Sequence, residues 1–519
     1  MGGIKLSSLV NSLAANDFIG TGDKVINSIH YDSRSVRPGG LFVAIQGLQA
    51  DGYNYIDDAI RRGAVAVATE KTLSIGKDIS LIKVENARQA LARLSALFYG
   101  NPSEELFVIG ITGTNGKTTT AYLIESILRA AGFNVGVIGT INYRFEGQTF
   151  TNPVTTPESV DLMRILREMA NNGVTHVVLE VSSHAIDLDR VRSCQFDMGI
   201  YTNLSRDHLD YHKDMESYWR CKKKFFLDYL VQDSRSRQTT AIINWDDKKG
   251  KELALDVSIK CLCTGLSKEC DIRGENIHVD INGTSGTVQT PHGNFEFASR
   301  LLGQHNVYNI LSAAATGIAM GLNLSQIRDG INNLTGVPGR LESIPNGEGL
   351  SILVDYAHTP EALENVLTVL RELTHGRLIT VFGCGGDRDQ EKRPIMGEVV
   401  ARLSDLSILT SDNPRTESPE SILTHIEVGT ASVAGNRKYE QGALLNSFKG
   451  PGYTVEQDRK RAISLGIKIA KPGDCVLIAG KGHETYQIIG DRTISFDDRV
   501  EVAQVLEGLS TSKGVTIDH

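Results

Sequence analysis

The stretch "FVIGITGTNGKTTTAYLIESI", residues 107–127, joins a short apolar run, a glycine-rich turn and a helical pattern in direct succession. The apolar run predicts a buried strand, and the spacing of apolar residues after Lys117 predicts a helix. Glycines let backbone N–H groups close around phosphate oxygens, and the helix N-terminus adds a favourable dipole. The stretch therefore predicts a nucleotide-binding loop within a parallel α/β sheet.

The turn also carries the side chains that nucleotide phosphates need. Lys117 would reach the terminal phosphates, and the Thr118 hydroxyl would bind Mg²⁺. The strict P-loop spacing is absent, because residue 111 is isoleucine and the preceding glycine is Gly110. The strand–turn–helix context nevertheless favours nucleotide binding over a purely structural turn. The predicted ATP-binding residues here are Gly113, Thr114, Asn115, Gly116, Lys117, Thr118 and Thr119.

The alternation of apolar strands and helical segments continues through most of the chain. With 519 residues, the chain exceeds what one hydrophobic core accommodates. Gly, Asn and Pro interrupt both periodicities in "YGNPSEE" (99–105), and "GVPGRLE" (336–342) marks a second boundary. We expect an α/β fold with a central P-loop parallel-sheet ATPase domain and a C-terminal Rossmann-like domain. The expected domains are residues 1–100, 101–338 and 339–519.

The composition excludes several classes of protein. A net charge of −8, with 40% apolar and 22% charged residues, is typical of a soluble globular protein and gives no general attraction to nucleic acid or anionic membranes. No apolar run approaches the roughly 18 residues of a membrane span, and the N-terminus lacks a signal-peptide core. The seven cysteines show no disulfide or zinc framework. We expect a cytoplasmic monomer with reduced thiols.

Polar residues follow two further predicted strands of the central region. Glu180 ends the apolar run of "THVVLEV", and Asp207 and His208 come after the run that contains Ile200. A lone carboxylate at a strand end is often only an exposed surface group. Ligands of open α/β sheets, however, bind beyond the carboxyl ends of the strands, and Mg²⁺ prefers oxygen ligands. Glu180 is therefore a candidate metal ligand beside the phosphate loop.

Three predicted strands of the C-terminal region also end in polar loops. The loops are "GCGGDRD" (383–389), "TSDNPRT" (410–416) and "AGKGHE" (479–484). Neighbouring strands of one parallel sheet bring such loops to a common edge. Three polar strand ends at one edge favour a binding pocket over three unrelated turns.

Taken together, the motifs resemble those of the Mur ligases, and within that family the members that add the third residue to the UDP-muramyl peptide of peptidoglycan. The resemblance runs from "YDSRSVRPGGLFVAIQGLQADG" to "FDDRVEVA", nearly the whole chain. Several motifs in register over that length are more specific than any one of them. In chain order the motifs are "GTNGKTT", "EVSSH", "TNLSRDHLDYH", "GQHNVYN", "GVPGRLE", "DYAHTP", "GCGGDRD", "DNPRTE" and "GKGHE".

The resemblance implies an ATP-dependent ligase that adds meso-2,6-diaminopimelate to UDP-N-acetylmuramoyl-L-alanyl-D-glutamate through an acyl phosphate. In this family "DNPR" accompanies diaminopimelate, whereas lysine-adding members usually lack that arginine. The first domain would bind the UDP-sugar, the second ATP and Mg²⁺, and the third the amino acid. The open alternatives are an L-lysine-adding relative, a folylpolyglutamate-type ligase and, from another class, a P-loop nucleotide switch or binding protein.

The resemblance also assigns residues to each ligand. Further nucleotide contacts would be Asn306, Asn309, Arg340 and Asp355. The UDP-muramyl peptide would contact Ser33, Gln49, Thr155, Thr156, Ser182 and Arg190. Diaminopimelate would contact Arg388, Asp412, Asn413, Pro414, Arg415, Gly480 and Glu484. The metal ligands would be Thr118, Glu180, His208 and Lys222, and the catalytic residues Lys117, Lys222, Glu180 and His208.

Lys222 owes its role to the resemblance alone. Family members carry a lysine whose amine is carbamylated by CO₂, which turns a cation into a carboxylate-like Mg²⁺ ligand. Alignment on "DMESYWRCKKK" (214–224) assigns this residue to Lys222. The sequence departs from the usual pattern, because Cys221 replaces a common alanine and two more lysines follow. The run by itself would indicate a solvated basic helix face.

Overall fold

The computed structural model describes residues 2–13, 15–47, 50–74, 76–231, 238–446, 448 and 450–513. The chain divides into two compact units. The first contains residues 1–276, 286–297 and 307–333, and the second contains residues 277–285, 298–306 and 334–519. Within the described ranges, no helix is long and apolar enough to cross a membrane.

The N-terminal part of the first unit is built on a five-stranded sheet. Its strands are parallel except for the edge strand Ala15–Ile19. In spatial order they are Ala15–Ile19, Ser80–Val84, Ala64–Thr69, Gly40–Val43 and Ser28–His30, beside a small sheet of Ile4–Lys5 and Val25–Ile26. The helices are Leu6–Val10, Ile56–Arg61 and Ala87–Phe98, with 3₁₀ turns Ser33–Ser35 and Gly52–Tyr55. Asn86 caps the longest helix by accepting a hydrogen bond from the Gln89 N–H.

The central sheet has the phosphate-loop strand Phe107–Thr112 in its interior, paired in parallel with His176–Glu180 on one side and Met198–Tyr201 on the other. Apart from Thr112 and Glu180 at the carboxyl ends of their strands, the buried residues of these three strands are not polar, as expected for a sheet covered on both faces. The sheet order is Gln148–Phe150, Tyr143–Phe145, Val135–Ile138, His176–Glu180, Phe107–Thr112, Met198–Tyr201, Thr240–Asn244, Lys260–Gly265, Ile272–Asp280, Gly283–Thr290 and Gly293–Ser299.

Helices connect the strands of this region. The helix after the phosphate loop, Lys117–Ala130, buries its apolar face through residues such as Leu123 and Ile127. The other helices are Pro102–Glu105, Ser159–Asn171, Ser183–Asp187, Leu209–His212, Met215–Lys224, Lys248–Asp256, Gln304–Ala319 and Leu324–Asn333, with a π-helical turn at Phe225–Tyr229.

The second unit is a seven-stranded sheet with an apolar cluster on each face. Its strand order is Glu342–Ser343, Ser351–Asp355, Cys475–Ala479, Leu378–Phe382, Leu406–Leu409, Gly452–Val455 and Arg437–Lys438. A hairpin of Tyr486–Ile489 and Arg492–Ser495 follows. The helices are Pro360–Leu373, Lys392–Leu403, Pro419–Ser432, Gln441–Asn446, Arg459–Ile469 and Asp498–Lys513.

The three polar loops of the second unit follow three adjacent parallel strands. Leu378–Phe382 pairs with Cys475–Ala479 on one side and with Leu406–Leu409 on the other. The loops that begin at residues 383, 410 and 480 therefore leave the same edge of the sheet. This confirms the expectation that they share one edge.

Candidate active site

The phosphate loop requires its two glycines. Gly113 and Gly116 have φ angles of 149° and 86°, a region that favours glycine over residues with a Cβ. A Cβ at Gly113 would overlap the Thr202 hydroxyl, and one at Gly116 would overlap the side-chain oxygen of Asn309. The helix begins directly at Lys117. The two glycines thus allow the close packing of the loop against Thr202 and Asn309, and the loop leads directly into the N-terminus of a helix.

Two lysines converge on this loop. The Lys117 Nζ donates to the backbone oxygens of Gly113 and Thr114, each at 2.9 Å. The Lys222 Nζ donates to the same Gly113 oxygen at 2.8 Å. Lys222 is 1% exposed, and burial, with the nearby Lys117 charge, holds its pKa well below the ordinary lysine value. The lysine run by itself indicates a solvated basic helix face. That prediction is wrong for Lys222, whose amine is buried and bonded to the phosphate loop.

Other predicted loop residues are held from neighbouring elements. The Asn115 N–H donates to the Asn203 side-chain oxygen at 3.0 Å, beyond the adjacent strand. Thr119 is buried on the first turn of the helix. Asn309 accepts a hydrogen bond from the Thr120 hydroxyl at 3.2 Å, so this residue contacts the loop helix, as a nucleotide-side residue would.

Glu180 is buried at the end of the strand beside the loop, with 2% of its surface exposed. The Thr118 hydroxyl donates to its carboxylate at 3.0 Å. The Thr140 N–H and hydroxyl also donate to it, at 3.1 and 2.9 Å, and the Thr140 hydroxyl lies 3.1 Å from that of Thr155. A Cβ at Gly139 would overlap the carboxylate. Two predicted metal ligands, Thr118 and Glu180, are therefore in direct contact.

His208 follows the strand Met198–Tyr201, which pairs with the phosphate-loop strand on the side opposite His176–Glu180. Its φ of 53° is unusual for a residue with a side chain, and its Nε2 is 3.5 Å from the Asp207 carboxylate. Its ring centroid is 5.0 Å from that of His184 and 6.1 Å from that of Tyr218. The Tyr218 ring in turn lies 4.5 Å from the Lys222 Nζ. His208 and Lys222 therefore flank the same tyrosine.

Among the described residues, no group of three or more His, Cys, Asp and Glu side chains could hold a metal ion. The candidate ligands include only one carboxylate, Glu180, held against a hydroxyl. A hard cation that prefers oxygen fits this pair, provided that further oxygens come from ligand phosphates or from a modified side chain.

The residues assigned to the muramyl peptide adjoin Glu180. The Thr156 hydroxyl donates to the Glu180 backbone oxygen at 2.8 Å and accepts from the Ser182 N–H at 3.0 Å. The Arg190 Nη1 donates to the Thr156 backbone oxygen at 3.1 Å. The Ser182 hydroxyl caps the helix Ser183–Asp187. These side chains form one hydrogen-bonded group that is continuous with the candidate metal ligand.

Ser33 and Gln49 are the two N-terminal residues assigned to the UDP-muramyl peptide, and the structure describes only Ser33. Ser33 is buried at the start of a 3₁₀ turn, and its hydroxyl is hydrogen-bonded to Asp58, whose pKa this bond lowers. Gln49 lies outside the described residues.

The sequence did not predict the ion pairs that join the N-terminal region to the hydrogen-bonded group of Thr156, Ser182 and Arg190. The Arg88 Nη1 donates to the Glu158 carboxylate at 3.1 Å, and its Nη2 donates to the Gln46 backbone oxygen at 2.9 Å. The same Glu158 oxygen lies 3.4 Å from the Arg190 Nε. All three charged side chains are less than one-fifth exposed. No local motif marks Arg88 or Glu158, because each is a single charge at or near the start of a helix.

Three residues assigned to the nucleotide belong to the second unit. The Asp355 carboxylate accepts from the N–H groups of Leu341 and Ala357 at 2.7 and 2.8 Å, and burial raises its pKa against the opposing charge of Arg340. Asn306 donates to the backbone oxygen of Leu302, which precedes the helix Gln304–Ala319, at 2.7 Å. A role for these residues at the nucleotide remains a prediction.

Arg415 begins the second candidate pocket. Its φ of 53° is in the left-handed region, which costs free energy for a residue with a Cβ. Its N–H donates to the Ile488 oxygen at 3.1 Å, and its own oxygen accepts from the Gly490 N–H at 2.7 Å, so the following hairpin holds this conformation. The Nη1 donates to the Gly386 oxygen at 2.8 Å. Pro414 precedes it and is buried.

The neighbouring assigned residues form a network. The Asn413 Nδ2 donates to the Glu484 carboxylate at 2.9 Å, and the Gln487 Nε2 donates to the Asp412 backbone oxygen at 2.6 Å. Gly480 has φ of 115°, and a Cβ there would lie 3.7 Å from the Asp412 carboxylate. The loops that begin at residues 410 and 480 thus meet the following hairpin in one place, and hydrogen bonds to Gly386 join the loop that begins at residue 383 to them.

Two further charges of these loops have different surroundings. Arg388 is exposed and donates to the Asp387 backbone oxygen at 3.0 Å, so it is free to approach a ligand from the rim. Glu417, from the same loop as Arg415, accepts from the fully buried Arg393 at 2.8 and 2.9 Å. The ion pair of Glu417 with Arg393 therefore stabilises the structure of the loop.

Comparison with known proteins agrees with this architecture. Family models match three successive segments: residues 25–99 match the Mur ligase family catalytic domain, residues 111–317 the Mur ligase middle domain, and residues 339–482 the Mur ligase glutamate ligase domain. The chain belongs to the Mur ligase family. The expected α/β class is confirmed.

Several relatives and solved structures are similar to this chain over most of its length. A protein of Geobacter metallireducens named UDP-N-acetylmuramoyl-L-alanyl-D-glutamate--2,6-diaminopimelate ligase is 50% identical over 94% of this chain and 95% of its own length. A protein of the same name from Bacillus velezensis is 42% identical over 96% and 98%. A solved structure of that name has a TM-score of 0.70 at 30% identity, covering 98% of this chain and 99% of its own. A Thermotoga maritima MurF ligase in complex with ADP, 19% identical with a TM-score of 0.59, shares the fold.

Proposed function

We propose that this chain is an ATP-dependent ligase that joins meso-2,6-diaminopimelate to UDP-N-acetylmuramoyl-L-alanyl-D-glutamate in cytoplasmic peptidoglycan precursor synthesis. One observation carries the proposal: hydrogen bonds run without a gap from Thr118 of the phosphate loop through Glu180 to Thr156, Ser182 and Arg190. A phosphoryl donor and a peptide carboxylate would therefore meet at one edge of the sheet. The names of full-length relatives supply the identity of the substrates.

The chemistry follows from the weakness of a carboxylate as an acyl donor. Transfer of the γ-phosphoryl group of ATP to the D-glutamate carboxylate forms an acyl phosphate and releases ADP. The amine of diaminopimelate then attacks the acyl carbon, loses a proton and expels phosphate. The first step brings two anions together, so its barrier is largely electrostatic. Lys117, whose ammonium stands at the loop, would neutralise part of that charge.

A divalent cation, when bound, would supply further charge neutralisation. The chain offers Thr118, Glu180, His208 and a carbamylated Lys222 to hold Mg²⁺. Carbamylation forms a bond between the Lys222 Nζ and the carbon of CO₂ and releases one proton, so it needs a neutral amine. The burial that lowers the pKa of Lys222 supports this role, because it favours the neutral amine over the ammonium.

The test of the overall reaction is ADP release from purified protein. We expect release to require both UDP-N-acetylmuramoyl-L-alanyl-D-glutamate and an amino acid, and to be fastest with meso-diaminopimelate in a panel that includes L-lysine and L-glutamate. A nucleotide switch would instead release ADP with neither substrate present. Mass spectrometry of the product would identify the amino acid joined.

Arg415 provides the prediction on specificity. Its planar guanidinium can bind the distal carboxylate of diaminopimelate in two parallel hydrogen bonds, while Glu484 binds the distal ammonium. L-Lysine lacks that carboxylate. Arg415→Ala should therefore weaken diaminopimelate binding by about 2–5 kcal/mol, the range for truncating one partner of a buried charge pair.

The measurement for Arg415 is kcat/KM with diaminopimelate and with L-lysine. The wild type should strongly prefer diaminopimelate, and the variant should lose most of that preference. Arg402→Ala, which removes an exposed arginine paired with Glu364, is the matched control and should change neither value. Equal efficiency of the wild type with both amino acids would remove the assigned role.

Arg88 provides a prediction for the nucleotide-sugar substrate. Arg88→Ala should weaken UDP-muramyl dipeptide binding roughly tenfold to a hundredfold, because hydrogen bonds to charged groups contribute about 1.5–3 kcal/mol and Glu158 would no longer be shared between two arginines. Calorimetric titration measures this affinity directly. Arg164→Ala, in a loose surface pair, is the control. Unchanged affinity in Arg88→Ala would show that the connection is only structural.

A further inference from the structure

Lys481 is a fully buried lysine at the centre of the candidate diaminopimelate pocket; it lies within the "GKGHE" motif, but neither the resemblance nor the mechanism above assigns it a role. Its Nζ lies 3.1 Å from the Glu484 carboxylate, 3.2 Å from the Asn413 side-chain oxygen and 3.5 Å from the Asp412 carboxylate. All three partners are residues assigned to the amino acid. The ammonium group therefore holds together the side chains that would contact the ligand.

The charges of this cluster do not cancel. Lys481 contributes one positive charge, and Asp412 and Glu484 contribute two negative charges. Two further buried cations of this unit have their own carboxylates: Arg459 is matched by Asp498 through two hydrogen bonds of 2.7 Å, and Arg393 by Glu417. Within the described residues, the Asp412 oxygen nearest Lys481 has no hydrogen-bond partner. The cluster thus keeps one net negative charge.

We propose that Lys481 is a positioning residue that sets the charge of this pocket. It offsets one of the two carboxylates and fixes Glu484, directly and through Asn413, so that a single net negative charge faces the ligand. With the positive charge of Arg415, the four residues Lys481, Asp412, Glu484 and Arg415 sum to zero, and Arg388 lies outside this group on the exposed surface. That sum complements the zwitterionic distal end of diaminopimelate, one carboxylate and one ammonium. The distal end of L-lysine carries only the ammonium. This inference rests on the proposed function.

Three variants separate the charge of Lys481 from its bulk. Lys481→Met leaves a net charge of −2 in the cluster, Asp412→Asn leaves 0, and the double variant restores −1. The KM for diaminopimelate should rise by about 10² in Lys481→Met, in the range for leaving a buried charge unpaired, with a smaller change in kcat. The double variant should recover at least about tenfold of this loss and should bind better than Asp412→Asn alone.

Matched measurements keep the outcome decisive. Lys471→Met changes an exposed lysine of the same unit and should leave KM unchanged, and thermal unfolding monitors the fold of each variant. If Lys481→Met alone does not fold, the comparison between the double variant and Asp412→Asn decides. A double variant no better than either single one, or an unchanged KM in Lys481→Met, would overturn the inference while leaving the proposed function intact. Absence of diaminopimelate-dependent turnover in the wild type would overturn both.

Discussion

Lys222→Ala is expected to lower ligase turnover by about 10²–10³ or more, the range for removing one group that stabilises charge in a transition state. The reason is that Lys222 is the buried amine nearest the phosphate loop, bonded to the Gly113 oxygen, and the only residue of its run proposed to become a metal-binding carbamate. Turnover is measured as ADP release with saturating UDP-muramyl dipeptide and diaminopimelate.

Short-chain carboxylates provide the diagnostic for this prediction. Acetate or formate should partly restore activity to Lys222→Ala, because a free carboxylate can occupy the space of the missing carbamate. Incubation of the wild type with ¹³C-labelled bicarbonate should give a carbamate carbon signal that the variant lacks. A variant without rescue and a wild type without that signal would contradict the carbamate role.

The neighbouring lysines are built-in controls. Lys223 pairs with Asp256 at 2.6 Å on the surface, and Lys224 lies 3.4 Å from Asp189. Both are partly exposed, so their ion pairs contribute little. Lys223→Ala and Lys224→Ala should retain most activity. Equal losses at all three positions would point to a general basic patch.

Lys117→Ala is the second change with a large expected effect, a loss of about 10² or more in turnover. The ammonium is held at the loop by two backbone oxygens at 2.9 Å, where it would meet the transferred phosphoryl group. Its removal leaves the charge of two approaching anions without a direct cationic partner. The loss should appear mainly in kcat, since the backbone N–H groups of the loop still bind phosphate.

Stability separates this loss from misfolding. Lys117 is only half-buried and packs no core, so the melting temperature of Lys117→Ala should stay near that of the wild type. Arg129→Ala, on the last turn of the same helix, removes a half-exposed cation and should leave turnover unchanged. Near-normal turnover in Lys117→Ala would disprove the assigned role.

The local pattern of residues was enough to predict the elements that carry the site. The strand, the glycine turn and the helix of residues 107–127 appear as Phe107–Thr112 and Lys117–Ala130. Buried strands of a parallel sheet are continuous apolar runs, and a helix has its own periodicity, so both signals are local. The same holds for the three strands that end in polar loops.

At Lys222 the local sequence pattern predicts the wrong environment, solvent instead of the protein interior. Three consecutive lysines on a helix predict a solvated face, yet the structure buries the first and leaves the other two partly exposed. Helical geometry rotates successive residues by about 100°, and only the elements packed against the helix decide which of them faces inward. Family resemblance, not periodicity, singled out the buried one.

The α/β class, the phosphate loop and the polar strand ends follow from the sequence, because each depends on a pattern of consecutive residues. Tertiary structure alone decided the charge network around them. Arg88 meets Glu158 across 70 positions of the chain, and Lys481 meets Asn413 across 68. Such pairs have no signature in sequence, since an isolated charge has the same local pattern whether it lies in solvent or in a buried cluster. Packing brings the partners together, and their contacts then set the charge of the site.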